Sequence, residues 1–128
     1  MRIHVTKVDT SQEDVVINFT SEFGEAEAFW GSKPIPKENS DYEVELDITD
    51  ELVWGKDVKP STDKKYSIKL QGDFILITGI LEKVSRDGLA DFRLNKNIIQ
   101  LELEGRNIPT GVYCTIKTSS LEFYEINY

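Results

Sequence analysis

The segment from Gly72 to Gly105 reads GDFILITGILEKVSRDGLADFRLNKNIIQLELEG, and it decides the fold class. Residues 74–81 are apolar at both alternating sets of positions, which indicates that the strand expected to run on to residue 84 is covered on both faces. At ~3.3 Å per residue such a strand is about 36 Å long, so we expect a bend or bulge at Gly79. Polar turns at 85–88 and 95–97 lead into two more strand-like runs. A long bent strand followed by a meander predicts a small closed or nearly closed β-barrel.

Strand-like alternation continues on both sides of this segment. Its clearest case is residues 41–48, where apolar and acidic residues take turns. Residues 2–8 and 15–20 also alternate in the manner of strands. Residues 26–30 fit either the second arm of a hairpin or part of a short helix over 25–30. Further strands are expected at 66–70, 73–84, 88–94, 97–104, 111–117 and 121–127. Thr49 to Trp54 is expected to form one helical turn, because Thr49 can cap it and Gly55 can end it.

This order of elements resembles an OB-type or related Greek-key barrel. The fold class that we predict is all-β: a small OB-like or Greek-key barrel or sandwich, with an N-terminal strand-rich segment packed against it. At 128 residues the chain is expected to be a single domain, 1–128. We place the N-terminal strands and a proline-containing loop in 1–40, and the barrel core in 41–128. The first 40 residues are the expected cover for the outer face of the long strand.

The net charge of −8 is concentrated in the first half of the chain. Residues 1–60 contain six Lys or Arg and fourteen Asp or Glu, whereas residues 61–128 contain nine of each. An acidic surface repels phosphate backbones and attracts basic partners. Nucleic acid is therefore an unfavoured partner, and a basic protein is the favoured one. An acidic surface that serves only solubility is the simpler alternative.

The acidic residues that alternate along 41–48 are the first candidate binding site. Neighbours on one strand face are about 6.7 Å apart, which is too far for several of them to bind one metal ion. Trp54 follows shortly after, and tryptophan is enriched at the energetic centres of protein interfaces. It serves equally well as a cap over the mouth of the barrel. The predicted partner-binding residues are Glu43, Glu45, Asp47, Asp50, Glu51 and Trp54.

A second candidate surface would serve an OB-type ligand binder, for an oligosaccharide or single-stranded nucleic acid. Such sites place aromatic platforms beside basic residues. The residues predicted for this alternative ligand face are Tyr66, Phe92, Arg93 and Tyr113. A third possibility is a structural subunit whose long apolar strand is covered by another chain.

Catalysis finds little support in the residue types present. The chain has one histidine, His4, and one cysteine, Cys114, which lies among apolar residues and is read as a small buried side chain. No phosphate-binding loop, dinucleotide fingerprint, zinc spacing or nucleophile elbow occurs. We therefore predict a non-enzymatic protein with no cofactor and no metal site. A hydrolase that uses only carboxylates is the alternative that sequence cannot recognise.

The first residues and the lengths of the apolar runs indicate the cellular compartment that we expect for the protein. Met1-Arg2 leads directly into an alternating strand pattern with no signal-peptide core, and no run approaches the ~20 apolar residues of a membrane span. A single cysteine excludes an internal disulfide framework. The expected location is the cytoplasm, with no membrane partner.

Overall fold

The computed structural model describes residues 1–126, and every regular element among them is a β-strand. The strands are β1 (Arg2–Asp9), β2 (Val16–Ser21), β3 (Gly24–Trp30), β4 (Ser40–Ile48), β5 (Glu51–Val53), β6 (Val58–Pro60), β7 (Ser67–Gln71), β8 (Phe74–Val84), β9 (Leu89–Leu94), β10 (Asn97–Glu104), β11 (Val112–Thr118) and β12 (Leu121–Glu125). The all-β prediction is thus confirmed, and so are the small barrel and most strand positions from residue 67 onward.

Five strands form a closed barrel in the order β1-β2-β3-β12-β4, and β4 pairs with β1 to close it. All neighbouring pairs are antiparallel except β12 with β3, which is parallel. Counted within the barrel alone, this order is 1-2-3-5-4, a Greek-key path of the kind found in five-stranded OB barrels. The barrel is closed most narrowly between β3 and β12, which pair over two residues, Phe29 and Trp30 against Glu122 and Phe123.

The seven remaining strands are inserted between β4 and β12 and form a second sheet. Six of them follow the order β5-β10-β9-β8-β11-β6, and β7 pairs with the first half of β8. A tight turn brings the two end strands together, since Trp54 bridges to Val58 and the Gly55 amide donates to the Val58 carbonyl at 2.8 Å. The second sheet is therefore nearly closed.

The distribution of strands differs from the one expected from the sequence. Strands β1–β3, expected as a cover over a barrel made from residue 41 onward, are themselves the wall of the closed barrel. The outer face of β8 is also partly open, because Phe74 at its start is 42% exposed. Local alternation shows where strands occur, but the choice of partners depends on contacts between distant segments, which alternation does not specify.

The helical turn expected over 49–54 is wrong. Residues 51–53 form β5, which pairs in parallel with β10. The Val53 amide donates to the Asp57 carboxylate at 2.9 Å, and the Trp54 amide donates to the Glu104 carbonyl at 2.8 Å. These bonds, one to a local side chain and one to a strand far away in sequence, replace the bonds of a helical turn. At 25–30 the hairpin is confirmed and the short helix is not, because β3 pairs with β2 along its length.

Gly79 fulfils a packing role that differs from the expected bend. It lies within the regular pairing of β8 with β11, and the register shift comes later, between Leu81 and Lys83. A Cβ built on Gly79 would collide with the Arg93 backbone carbonyl oxygen and would lie 2.8 Å from the Phe92 ring, closer than real Cβ atoms approach their neighbours. Glycine thus lets the fully buried Phe92 ring lie against the β8 backbone. Cys114 is buried as expected.

Candidate functional site

The acidic strand β4 divides into two halves with different electrical surroundings. In its first half, Asp41 and Glu43 face the basic start of β1. Asp41 accepts hydrogen bonds from His4 Nδ1 at 2.7 Å and Arg2 Nη2 at 3.0 Å. These bonds, that from His4 first, hold the pKa of Asp41 below its usual value. Glu43 lies opposite Arg2 in register, and its carboxylate is 3.8 Å from the Met1 amino group. The predicted site residue Glu43 therefore lies among cations of its own chain.

The second half of β4 has no such compensation. Asp47 lies directly opposite Glu122 of β12, and Glu45 lies opposite Tyr124. Neither Asp47 nor Glu122 takes part in an ion pair within residues 1–126. The hydrogen bond to Glu122, then burial and the charges of Glu122 and Asp47, raises the pKa of Tyr124. Like charges placed directly opposite each other destabilise a sheet.

Asp50 has a structural role where the chain passes from the barrel to the second sheet. Its carboxylate accepts a hydrogen bond from Thr118 Oγ1 at 3.1 Å, and its amide donates to Ser120 Oγ at 3.1 Å. These bonds fix the crossover between β4 and β5. Trp54 is half-buried and packs against the core, with its Cβ close to Gly105, so it is not an exposed anchor.

A second pair of like charges lies just beyond this crossover. Glu51 of β5 lies opposite Glu102 of β10, and both side chains are exposed. They border a groove of about 470 Å³, and among residues 1–126 Arg86 is the one basic residue that lines it. Leu89, 38% exposed, gives the groove an apolar part. The other residues that line it include Asp87, Glu104, Val84 and Ile108.

The two like-charge pairs lie close together along the chain. Asp47 and Glu51 are four residues apart, so their Cα atoms are separated by at most about 14 Å. We call Asp47, Glu51, Glu102 and Glu122 the crossover patch. The structure thus sets Asp47 and Glu51 of the predicted site opposite acidic residues of other strands, sets Glu45 opposite Tyr124, and assigns Glu43, Asp50 and Trp54 to other contacts.

The patch contains two residues that the sequence prediction missed. Glu102 was recognisable as an outward residue from the alternation along 97–104, and Glu122 follows the same rule on β12. Their importance comes from the strands that they face, β5 and β4, which lie far away in sequence.

Of the four residues predicted for the alternative ligand face, three lie close together in the structure and one is buried. Phe92 is fully buried, so its inclusion was wrong: it points inward because β9 alternates and its neighbour Arg93 points outward. Arg93 and Tyr113 both lie opposite Ile80 on the strands flanking β8. The Tyr66 and Tyr113 ring centroids are 5.9 Å apart. Three of the four predicted residues therefore converge over Ile80.

The single cysteine and the single histidine are the side chains considered for catalysis, and both have structural surroundings that limit their reactivity. Burial raises the pKa of the Cys114 thiol, which disfavours the reactive thiolate. His4 bonds to Asp41 on the exposed barrel wall. Within residues 1–126 no group of three or more histidine, cysteine or acidic side chains could hold a metal ion. The same residues include no helix that is long and apolar enough to cross a membrane.

Comparison with known proteins adds no relative. No family model, no curated protein and no solved structure matches this chain.

Proposed function

We propose that this protein is a non-enzymatic binding module that engages a basic protein through the crossover patch. The observation that carries this proposal is the occurrence of two like-charge cross-strand pairs, Asp47–Glu122 and Glu51–Glu102, none of whose carboxylates forms an ion pair within residues 1–126. A small inhibitor or immunity-type protein that neutralises a basic toxin or nuclease is the concrete form of this function. It would act by covering the partner's surface and by charge complementarity.

The energetics of the patch support a role in binding. Each like-charge pair costs the free protein on the order of 0.2–1 kcal/mol. A lysine or arginine placed between the two carboxylates turns that repulsion into attraction, so binding recovers the cost. By contrast, Asp41 in the first half of β4 is paired with Arg2 and His4, so not every acidic residue of this strand lacks a positively charged partner.

The groove beside Glu51 suits a long basic side chain. Lysine and arginine bury their apolar stems while keeping the charged end among polar groups. Leu89 can contact such a stem, and the carboxylates of Glu51 and Glu102 stand where the charged end would lie. Arginine adds the option of two parallel hydrogen bonds to a carboxylate.

Affinity capture with matched baits tests the proposal. The baits are the wild type, the Asp47→Asn/Glu122→Gln variant, the Glu51→Gln/Glu102→Gln variant, and a Glu25→Gln/Glu27→Gln control on the exposed face of β3. All three variants lose two negative charges, so they differ only in where the charge is removed. We expect a basic protein on the wild type and the control, released by high salt, and reduced capture on both patch variants. Equal capture by all four baits, or no basic protein on any, would refute the proposal.

A further inference from the structure

The outer face of the second sheet has the opposite character to the barrel wall. Cross-strand pairing places Lys117, Leu76 and Lys69 in one row across β11, β8 and β7. Lys59 on β6 extends the neighbouring row, opposite Thr115. All three lysines are exposed. Lysines thus lie on both sides of the strip formed by β8.

Aromatic rings lie among these lysines. Tyr66 contacts Phe23 of the barrel with ring centroids 6.3 Å apart, and Tyr113 on its other side at 5.9 Å. All three rings are partly exposed. Lys117 Nζ lies 4.2 Å from the centroid of the Phe74 ring, which is itself 42% exposed. The face therefore offers a row of rings beside positive charge.

Charge is divided unequally between the two parts of the molecule. The five barrel strands contain two Lys or Arg and nine Asp or Glu, whereas the strands of the second sheet contain five of each. The segment 59–70 is basic, with Lys59, Lys64, Lys65 and Lys69 against Asp63 alone. Most of the excess negative charge therefore lies on the barrel strands, and the strands of the second sheet have no net charge.

Arg93 stands beside the rings in a fixed position. Its guanidinium forms two hydrogen bonds to the Glu82 carboxylate, one of them at 3.0 Å. This pairing lowers the pKa of Glu82 and raises that of Arg93. The lysines are consequently the charges available to a ligand, and the Arg93–Glu82 pair supplies polar groups at the edge of the aromatic row.

We propose that the outer face of the second sheet, defined by Tyr66, Tyr113, Lys59 and Lys69 together with the exposed Lys64 and Lys65 that precede Tyr66 in the chain, binds single-stranded nucleic acid. Exposed aromatic rings stack on bases of any sequence, and lysines along the same surface neutralise the phosphates. An acidic peptide would satisfy the lysines but leave the rings unused, so nucleic acid fits both features. The site shares no residue with the crossover patch, and this inference does not depend on the proposed function.

Fluorescence anisotropy with a 5′-labelled 20-nucleotide oligothymidylate tests the site. We expect binding at 50 mM NaCl and a loss of roughly 50-fold in affinity at 200 mM, since four phosphate contacts give a log–log salt slope of about −2.8. Replacing a stacking ring costs about 1–3 kcal/mol per base, so Tyr66→Ala or Tyr113→Ala should weaken binding about 5- to 150-fold. The exposed pair Lys64→Ala/Lys65→Ala should weaken binding and reduce the slope by about 1.4.

Matched controls separate this site from general effects. Tyr124→Ala removes an exposed tyrosine from the barrel wall, and Lys96→Ala removes an exposed lysine from the β9–β10 turn. Neither should change the affinity. Because Tyr66 and Tyr113 also contribute to packing, the lysine variant on the exposed loop keeps the test valid if a tyrosine variant unfolds.

Several outcomes would overturn the proposal. One is the absence of binding at 50 mM NaCl, and another is binding that the tyrosine and lysine variants leave unchanged. Salt-sensitive dimers in sedimentation, without oligothymidylate binding, would assign the face to the acidic barrel wall of a second copy. Retention of a neutral oligosaccharide instead of the oligonucleotide would assign it to a sugar. Each of these results would contradict the inference.

Discussion

Replacing Glu122 by glutamine should stabilise the protein, although it removes a half-buried charged side chain from a closed barrel. Glu122 faces Asp47 directly across the β12–β4 pair, with no ion pair on either residue within the described chain. Removing one of the two charges should recover about 0.2–1 kcal/mol. For a domain of this size that corresponds to a rise of roughly 1–4 °C in the melting temperature. Glutamine keeps the shape of the side chain and an acceptor for its hydrogen bond with Tyr124.

Thermal or urea unfolding at low and high salt measures this effect. At 1 M NaCl the screening length falls to about 3 Å, so the gain should shrink. Glu43→Gln is the matched control, because Glu43 faces Arg2 and lies near the Met1 amino group, and its replacement should not stabilise the protein. Equal effects of the two substitutions at low salt would show that the Asp47–Glu122 pair carries no special cost, and the reasoning would fail.

Three more predictions concern the fold and its titrating groups. Gly79→Ala should destabilise by about 1–3 kcal/mol in urea unfolding, because a Cβ would collide with the Arg93 carbonyl oxygen and the Phe92 ring; unchanged stability would contradict that packing. Cys114 should react with a thiol reagent only as fast as the native protein unfolds, since it is buried and its pKa is raised; rapid labelling of native protein would disprove this. The pKa of Asp41 is lowered in the fold, so its contribution to stability is present above about pH 4 and is lost as pH falls further. Asp41→Asn should therefore weaken the acid dependence of unfolding below pH 4, and an unaltered pH profile would argue against the bonds from His4 and Arg2.

The sequence predicted most of the strands. It also named two of the four residues of the crossover patch, Asp47 and Glu51. The apolar run 74–81 predicted a strand reaching to residue 84, and β8 occupies residues 74–84. The alternation on β4 correctly placed Asp47 on an outward, acidic face. Both features depend on local pattern, which a single sequence records directly.

Pairing between distant strands could not be predicted in this way. The barrel closes only because β12, near the end of the chain, inserts between β3 and β4. That insertion places Glu122 against Asp47 and makes the charge pair. The pairing of β5 with β10 likewise turned an expected helical turn into a strand and set Glu51 against Glu102. Phe92 was misplaced because a register of one residue decides which face of a strand is buried.

The association rate between this protein and its captured basic partner, measured at 50 and 500 mM NaCl, tests the central claim most directly. Complementary charges accelerate encounter by about 10–1,000-fold at low salt and lose this effect as salt rises. We predict that the wild type associates at least tenfold faster at 50 mM NaCl than the combined Asp47→Asn/Glu51→Gln/Glu102→Gln/Glu122→Gln variant, and that the difference nearly disappears at 500 mM. A rate that is insensitive to salt, or equal for the two proteins at 50 mM, would contradict the account.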